Sequence, residues 1–440
     1  MTTAIWRRGS AVIPVEHRRN FFHLYMDIAW FGVLNASAIS FMAVYATRLG
    51  ATGWQLGLLA AAPAVISLVA TLPAGQWLQK PGSISRKVFW TAAANRLFYA
   101  VWIFLPLFLL PNAQVQAMIL VVFLMSVPGT ALAVGFNAMF AAAVPVEWRS
   151  HVVGIRNALL AVTFIAVSLL CGWLLDTLPF PVGYQVVFAI GLLGAVMSSA
   201  HLWFVRPLDE ANYVPRHHAS VGDLARPGSG RTWLGGFRTA VSDWRFLLNR
   251  QDQGFVPSIK HLDRAYLWVL AAMFFFHLTQ YLPMSLFPLY WINHLALSDQ
   301  DIGLGNAVFF AAVLLASMQL SRLHKRFSNR QLLIAGVLGM SLYPLLTAVT
   351  RDLGLFLVVS AMGGLTWGLV AGSQANYLLE RIPENSRPAY LSWYHLTLNA
   401  AVLIGSLSGP FLAEYTGLVA MLVIAGLCRF ASALFMWWRG

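Results

Sequence analysis

The sequence predicts an all-α integral membrane protein with twelve transmembrane helices in two pseudo-symmetric six-helix bundles. Three observations carry that expectation: the apolar composition, the spacing of uninterrupted apolar runs, and the one-sided placement of basic residues. Of 440 residues 59% are hydrophobic and 10% charged, and mean hydropathy is +0.67. Soluble domains carry roughly 25% charged residues, so a soluble enzyme is excluded. The 13% of aromatic residues excludes disorder. A disulfide scaffold is excluded by having only Cys171 and Cys428, each inside an apolar run. The net charge of +13 does not point to nucleic acid, because no segment offers a water-soluble domain with a basic face.

About 20 apolar residues cover the hydrocarbon layer as a helix, and the chain supplies twelve such spans. Helix 1 (21–47) contains the uncharged run from Ile28 to Thr47. The Arg-rich stretch before it, Arg7 to Arg19, leads straight into an uncleaved helix and not a signal peptide. Helix 2 (54–78) follows the polar loop Gly50-Ala51-Thr52-Gly53, whose Thr52 is placed to cap it. Helices 3 (86–110) and 4 (114–143) share one long run that breaks at Pro111-Asn112. Helix 5 (150–176) opens after Pro145-Val-Glu-Trp-Arg149, and helix 6 (181–204) draws on the uncharged run from Thr177 to Ala200. Helix 7 (264–293) is interrupted by His277, with Pro283 and Pro288 placed to bend it. Ser298 is placed to cap helix 8 (300–322), and helices 9 (329–350) and 10 (354–380) follow from two further uncharged runs. Helix 11 (387–414) opens after Pro383-Glu-Asn-Ser-Arg387, and helix 12 (416–437) ends the chain. No strand pattern competes.

Lys and Arg fix the expected orientation, because basic loops stay on the cytoplasmic side. With the loops numbered alternately, only Arg48 and Arg351 fall on the second side, and only Arg96, Arg156 and Arg429 lie inside spans. The rest of the 29 basic residues share one side with both termini. A plasma (inner) membrane protein with cytoplasmic termini is expected, with a cytoplasmic segment 1–20, bundles at 21–204 and 264–438, and a linker at 205–263. Within the linker, Leu234, Phe237, Val241, Trp244 and Leu248 share a face opposite Arg231, Arg238 and Arg245. Residues 232–249 are therefore expected to form a basic amphipathic helix on the inner leaflet.

The halves also align internally. The openings of helices 5 and 11 match at an offset of 238 residues, which also pairs Asp176 with Glu414. Arg48-Leu-Gly-Ala-Thr-Gly-Trp-Gln-Leu-Gly57 matches His294-Leu-Ala-Leu-Ser-Asp-Gln-Asp-Ile-Gly303 at an offset of 246. Six plus six helices is a transporter architecture. Gly75-Gln-Trp-Leu-Gln-Lys80-Pro-Gly82, followed by Arg86-Lys87, resembles the loop signature of the major facilitator superfamily, with Gln79 where the usual acidic residue stands. Gly405-Ser-Leu-Ser-Gly409-Pro410 in helix 11 resembles the glycine-proline motif that the superfamily's drug antiporters carry in helix 5. The resemblance spans essentially the whole chain. It implies a central cavity lined by helices 1, 4, 7 and 10, with help from 2, 5, 8 and 11. It also implies cytoplasmic gate loops at Gly75, Gln79, Lys80, Arg86, Arg149, Arg326 and Arg387.

Ionisable groups inside the membrane are costly and mark function. Asp27 in helix 1 is the expected coupling-proton carrier, the alternative being an interfacial pair with a basic residue. The expected substrate lining is polar but almost uncharged: Asn35, Asn137, His277, Gln280, Trp367, Gln374, Asn376, His395 and Asn399. The alternative for these is hydrogen bonding between helices. Arg156 is expected to snorkel to the headgroups. Arg96 and Arg429, near mid-span, are expected at the cytoplasmic interface, on Asp27, or on a lipid headgroup. No zinc spacing, phosphate-cradling loop or nucleophilic triad appears, so no metal, cofactor or catalytic residue is expected. The functional expectation is a monomeric secondary transporter of a small, largely apolar or weakly polar organic molecule, proton-coupled, with membrane lipids and its substrate as partners. The alternatives are a lipid or glycolipid flippase of the same fold and a non-transporting scaffold or pigment-complex assembly factor.

Overall fold

The computed structural model describes residues 7–8, 11–12, 14–207, 262–383 and 387–440. The expected amphipathic helix at 232–249 and most of the 205–263 linker lie outside the described residues, as do the side chains of Gln79 and Arg387. A two-residue antiparallel pair, Arg7–Arg8 with Ala11–Val12, precedes the helices and was not expected from sequence.

Among the described residues, twelve helices are long and apolar enough to cross a membrane. α1 runs Val15–Leu34, passes through a π-helical turn at Asn35–Ile39 and continues as Ser40–Arg48. It begins six residues before the expected start, directly after Pro14, so the helix reaches back into the basic N-terminal stretch. α2 is Gly53–Gln79, α3 Ile84–Phe108, α4 Pro111–Ala143, α5 Val146–Thr177 and α6 Val182–Trp203. α7 comprises Arg264–Tyr281, Leu286–Leu289 and a second π-helical turn, Tyr290–His294. α8 is Asp299–Leu323, α9 Asn329–Val349, α10 Leu353–Glu380, α11 Arg387–Thr416 and α12 Leu418–Arg439.

The expected caps are formed. Thr52 Oγ1 accepts from Gln55 N at 3.3 Å while Thr52 N donates to Gln55 Oε1 at 2.9 Å. Ser298 and Asp301 make the same reciprocal pair at 3.1 Å both ways. Each box satisfies two backbone donors that a helix start leaves orphaned, and the two boxes are related by the offset of 246.

The helix pairing carries the same two-fold relation throughout. In the first bundle α1 packs on α5 and α6, α2 on α4, α3 on α4 and α6; in the second, α7 packs on α11 and α12, α8 on α10, α9 on α10 and α12. Two long seams join the bundles, α2 with α11 and α5 with α8. At the seams a Cβ added to Gly57 would lie 2.6 Å from the Ser406 carbonyl oxygen, and one added to Gly303 2.8 Å from that of Ser168. Gly57 and Gly303 are related by 246 residues, Ser168 and Ser406 by 238. The bare glycines therefore let helix backbones touch at two equivalent points.

α1 and α7 are interrupted at matching levels. The π turn spans Asn35–Ile39, and α7 loses helical form over 282–285, at Pro283, as the offset of 246 requires for residues 36–39. Proline removes a backbone donor and crowds the preceding turn. In α11 a Cβ at Gly405 would lie 2.6 Å from the Leu278 carbonyl, and one at Gly409 would collide with that of Leu282. The glycine-proline segment thus packs against the broken part of α7.

Candidate functional site

Among the described residues, three polar assemblies tie helices together. The first is in the α1 bundle. Asp27 is fully buried, and its Oδ2 accepts from Arg156 Nη1 at 3.2 Å and Nη2 at 3.1 Å. Its Oδ1 accepts from Ser198 Oγ at 2.5 Å and lies 3.8 Å from Arg96 Nη2. Arg96 Nη1 donates to the Ala195 carbonyl at 3.2 Å and to Ser199 Oγ at 2.7 Å, and Arg156 also donates to the Leu24 carbonyl. One carboxylate therefore stands between two guanidiniums drawn from α3 and α5, tied to α1 and α6. The expected snorkelling of Arg156 is corrected: its guanidinium lies 5.0 Å from the Phe136 ring centroid, inside the bundle, because Asp27 is in reach. Of the destinations open to Arg96, the structure gives Asp27.

The second assembly is in the α7 bundle. His277 Nε2 lies 3.1 Å from the Tyr394 hydroxyl and 3.0 Å from Gln374 Nε2, and that amide donates to the same hydroxyl at 2.5 Å. Three helices, α7, α10 and α11, thus meet at one buried triangle. Arg429, buried on α12, donates to the carbonyls of Met340 at 2.9 Å, Thr279 at 2.8 Å and Gln280 at 3.3 Å. Its targets are backbone oxygens of α9 and of α7 just before the break, not a headgroup. Arg96 and Arg429 thus stitch equivalent helix trios, α1–α3–α6 and α7–α9–α12.

The third assembly closes the end of the molecule away from the basic loops. Asp299 at the start of α8 takes Arg48 of α1 through Nε at 3.2 Å and Nη2 at 3.0 Å, and Tyr184 of α6 through its hydroxyl at 2.8 Å. Arg48 Nη2 donates to the Leu297 carbonyl at 2.8 Å, and Gln300 N donates to Asp176 at 3.3 Å. All of these bonds cross between bundles.

At the basic end the expected gate residues divide. Lys87, not Lys80 or Arg86, gathers the α2 C-terminus, donating to the carbonyls of Leu78 at 3.1 Å and of Lys80. Arg149 is buried and donates to the carbonyls of Ala141 at 2.8 Å and Val144 at 3.1 Å, closing the end of α4. Cations at helix C-termini satisfy orphan carbonyls and complement the dipole. Lys80, Arg86 and Arg326 are exposed, and Gly75 is buried within α2.

Of the expected lining, the structure brings together His277 and Gln374; their partner Tyr394 was missed, although it directly precedes His395, a residue already singled out. Asn35 lies in the π turn, 1% exposed, with no hydrogen bond at its Oδ1. Asn137, Gln280 and His395 are buried, and Trp367 and Asn376 are half-buried. Asn399 turns back on its own helix to the His395 carbonyl at 2.9 Å. The set is distributed over both bundles and forms no single cluster. Among the described residues no group of three metal-ligating side chains is found.

A search of curated proteins by sequence finds no match. Among solved structures, a bacterial homologue of the iron transporter ferroportin in its inward-facing state superposes with a TM-score of 0.67 at 16% identity, covering 95% of this chain and 98% of that one. The E. coli xylose transporter in its inward-open conformation gives 0.65 at 15%, covering 95% of each chain. The human organic anion transporter gives 0.59 at 13%, covering 96% and 100%. At these identities the likeness is one of fold. The family model of the Major Facilitator Superfamily matches residues 26–296 and 269–440, so between them the two matches run from α1 to the end of the chain. With its two-fold helix pairing and twelve spans, this chain belongs to the Major Facilitator Superfamily.

Proposed function

We propose that the protein is a secondary active transporter that moves a small, largely apolar organic solute by alternating access, and that the arrangement described is its inward-facing state. The positive-inside rule places the basic loops and both termini in the cytoplasm, which makes the Asp299 assembly the extracellular closure. That closure is the observation carrying the reading: one carboxylate of the second bundle holds Arg48 and Tyr184 of the first, while the glycine seams leave backbone contacts about which the bundles rock. The interruptions of α1 and α7 lie at equivalent depth, and breaks of this kind mark binding sites in transporters. His277, Gln374 and Tyr394 supply neutral hydrogen-bonding groups on the α7 side. Two of the superposed structures, the ferroportin homologue and the xylose transporter, are in an inward-facing and an inward-open state.

Asp27 is the proposed coupling site. A proton on its carboxyl weakens its hold on Arg156 and Arg96, so protonation, helix packing in the α1 bundle and substrate binding are linked. Reconstituted protein should take up substrate faster as the outside is acidified, and Asp27→Asn should flatten that dependence; a pH profile unchanged in the variant contradicts proton coupling through Asp27. The flippase alternative drew on the mid-span arginines and on the interfacial helix at 232–249; the arginines are engaged inside the bundles, and that helix lies outside the described residues.

A further inference from the structure

Between α1, α2, α3 and α4 lies a cavity of about 190 Å3 that none of the three polar assemblies explains. It adjoins the interruption of α1, since Leu34 before the π turn and Ile39 within it both line the wall. Phe31, Tyr99 and Trp102 supply rings, the last two meeting edge to face with centroids 4.9 Å apart, and Met42 and Met125 supply thioethers. Arg96 is a wall residue too, but its guanidinium is held elsewhere: Nη1 donates to Ala195 and Ser199, and Nη2 stands 3.8 Å from Asp27. None of those three partners lines the cavity, so Arg96 contributes its methylene stem to the wall. Asn95, Ser126 and Thr130 each donate to a carbonyl of α4, that of Met125 at 2.7 Å, of Val122 at 2.6 Å and of Ser126 at 2.9 Å. Ser67 Oγ lies 3.4 Å from Thr130 Oγ1. The wall therefore has polar residues whose donors are already committed to the protein. Interiors leave few voids larger than a water molecule, and a cavity with so little to offer water stays dry.

We propose that this cavity binds a neutral one-ring aromatic molecule, its ring against Phe31, Tyr99 and Trp102. The wall gives the charge: an ion entering here loses its hydration and finds no free partner, which is costly. The volume gives the size: an apolar cavity of about 150 Å3 takes up benzene, so the larger one here holds a ring with one short substituent but no second ring. The ring edges and the two thioethers favour an aromatic over a saturated ring of equal size. The site goes beyond the transport reading and stands or falls without it.

The test uses the full-length protein purified in detergent, with 4-fluorotoluene as probe read by fluorine NMR and protein-free micelles as the partition control. Wild-type protein should bind the probe saturably above the micelle background, and toluene should displace it. Benzoate and benzylammonium should compete roughly tenfold or more weakly than toluene, and methylcyclohexane roughly threefold more weakly at equal free concentration. Ser126→Leu, which fills the cavity from α4, should weaken probe binding roughly tenfold or more; Ala133→Leu fills the same space and decides the matter if Ser126→Leu does not fold. Met125→Ala enlarges the cavity, and naphthalene should then compete roughly tenfold better than it does against wild type. No saturable binding to wild type, or probe binding unchanged in a folded filling variant, overturns the site. Either ion or methylcyclohexane matching toluene overturns the ligand class, and naphthalene competing equally against wild type and Met125→Ala overturns the placement of the ring in this cavity.

Discussion

Asp27 illustrates what a single residue shows in sequence and what it hides. Its position in a cavity helix marked it as costly and therefore functional, but its partners come from α3, α5 and α6, more than sixty residues away, and no local spacing announces them. Arg156 resembled a snorkelling residue because it follows Arg149 by two helical turns; only the docking of α5 on α1 turns it inward. Removing one member of a buried ion pair leaves an uncompensated charge, typically at a cost of about 3–5 kcal/mol. Arg156→Gln should therefore lower resistance to unfolding in sodium dodecyl sulfate strongly, whereas Asp27→Asn with Arg156→Gln should cost clearly less than the two single losses added. Additive losses would mean that the two side chains do not interact. In the other bundle Tyr394→Phe strips the hydroxyl shared by His277 and Gln374. Left without that partner, the buried amide should cost about 1–3 kcal/mol, measurable in the same titration, with His277→Gln giving a smaller loss because it keeps a polar group there.

The helices themselves were largely legible, because the apolar period and length of a transmembrane span are properties of the local sequence. Most ends fell within a few residues of expectation, and the Thr52 and Ser298 caps were found at the expected positions. α1 was the exception, since His17, Arg18 and Arg19 gave its first turn the look of a loop. The π turn at Asn35–Ile39 had no sequence signal comparable to Pro283 in α7, and only the internal repeat relates the two breaks. Glycines were visible in sequence, but not which backbone each would face. Gly57→Val and Gly303→Val, at equivalent seam positions, should each cut uptake severely and to a similar degree. Gly154→Ala, where an added Cβ meets nothing within 4 Å, should leave uptake intact and be neutral or slightly stabilising, by up to about 1 kcal/mol. Initial uptake rates in proteoliposomes, normalised to reconstituted protein, check all three.

At the scale of the whole molecule, the internal repeat gave the two-bundle architecture, and the fold and its pairings agree with it. Which end is closed was not legible, because Arg48, Tyr184 and Asp299 belong to three helices whose approach depends on conformation and not on local pattern. The central claim is that this closure biases the molecule towards the inward-facing state. It is tested most directly by pulsed electron–electron distance measurements in lipid nanodiscs, in a Cys428→Ser background. One spin-label pair, Asn112→Cys with Arg351→Cys, spans the end that carries the Asp299 assembly, and another, Lys80→Cys with Arg326→Cys, spans the end that carries the basic loops. Hydrogen bonds to charged groups contribute about 1.5–3 kcal/mol each, so losing part of the Asp299 assembly should shift the two-state population roughly tenfold or more. With Asp299→Asn added, the distances of the first pair should lengthen while those of the second pair shorten. Distributions that stay unchanged at both ends, or that move in the same direction, would contradict the alternating-access account.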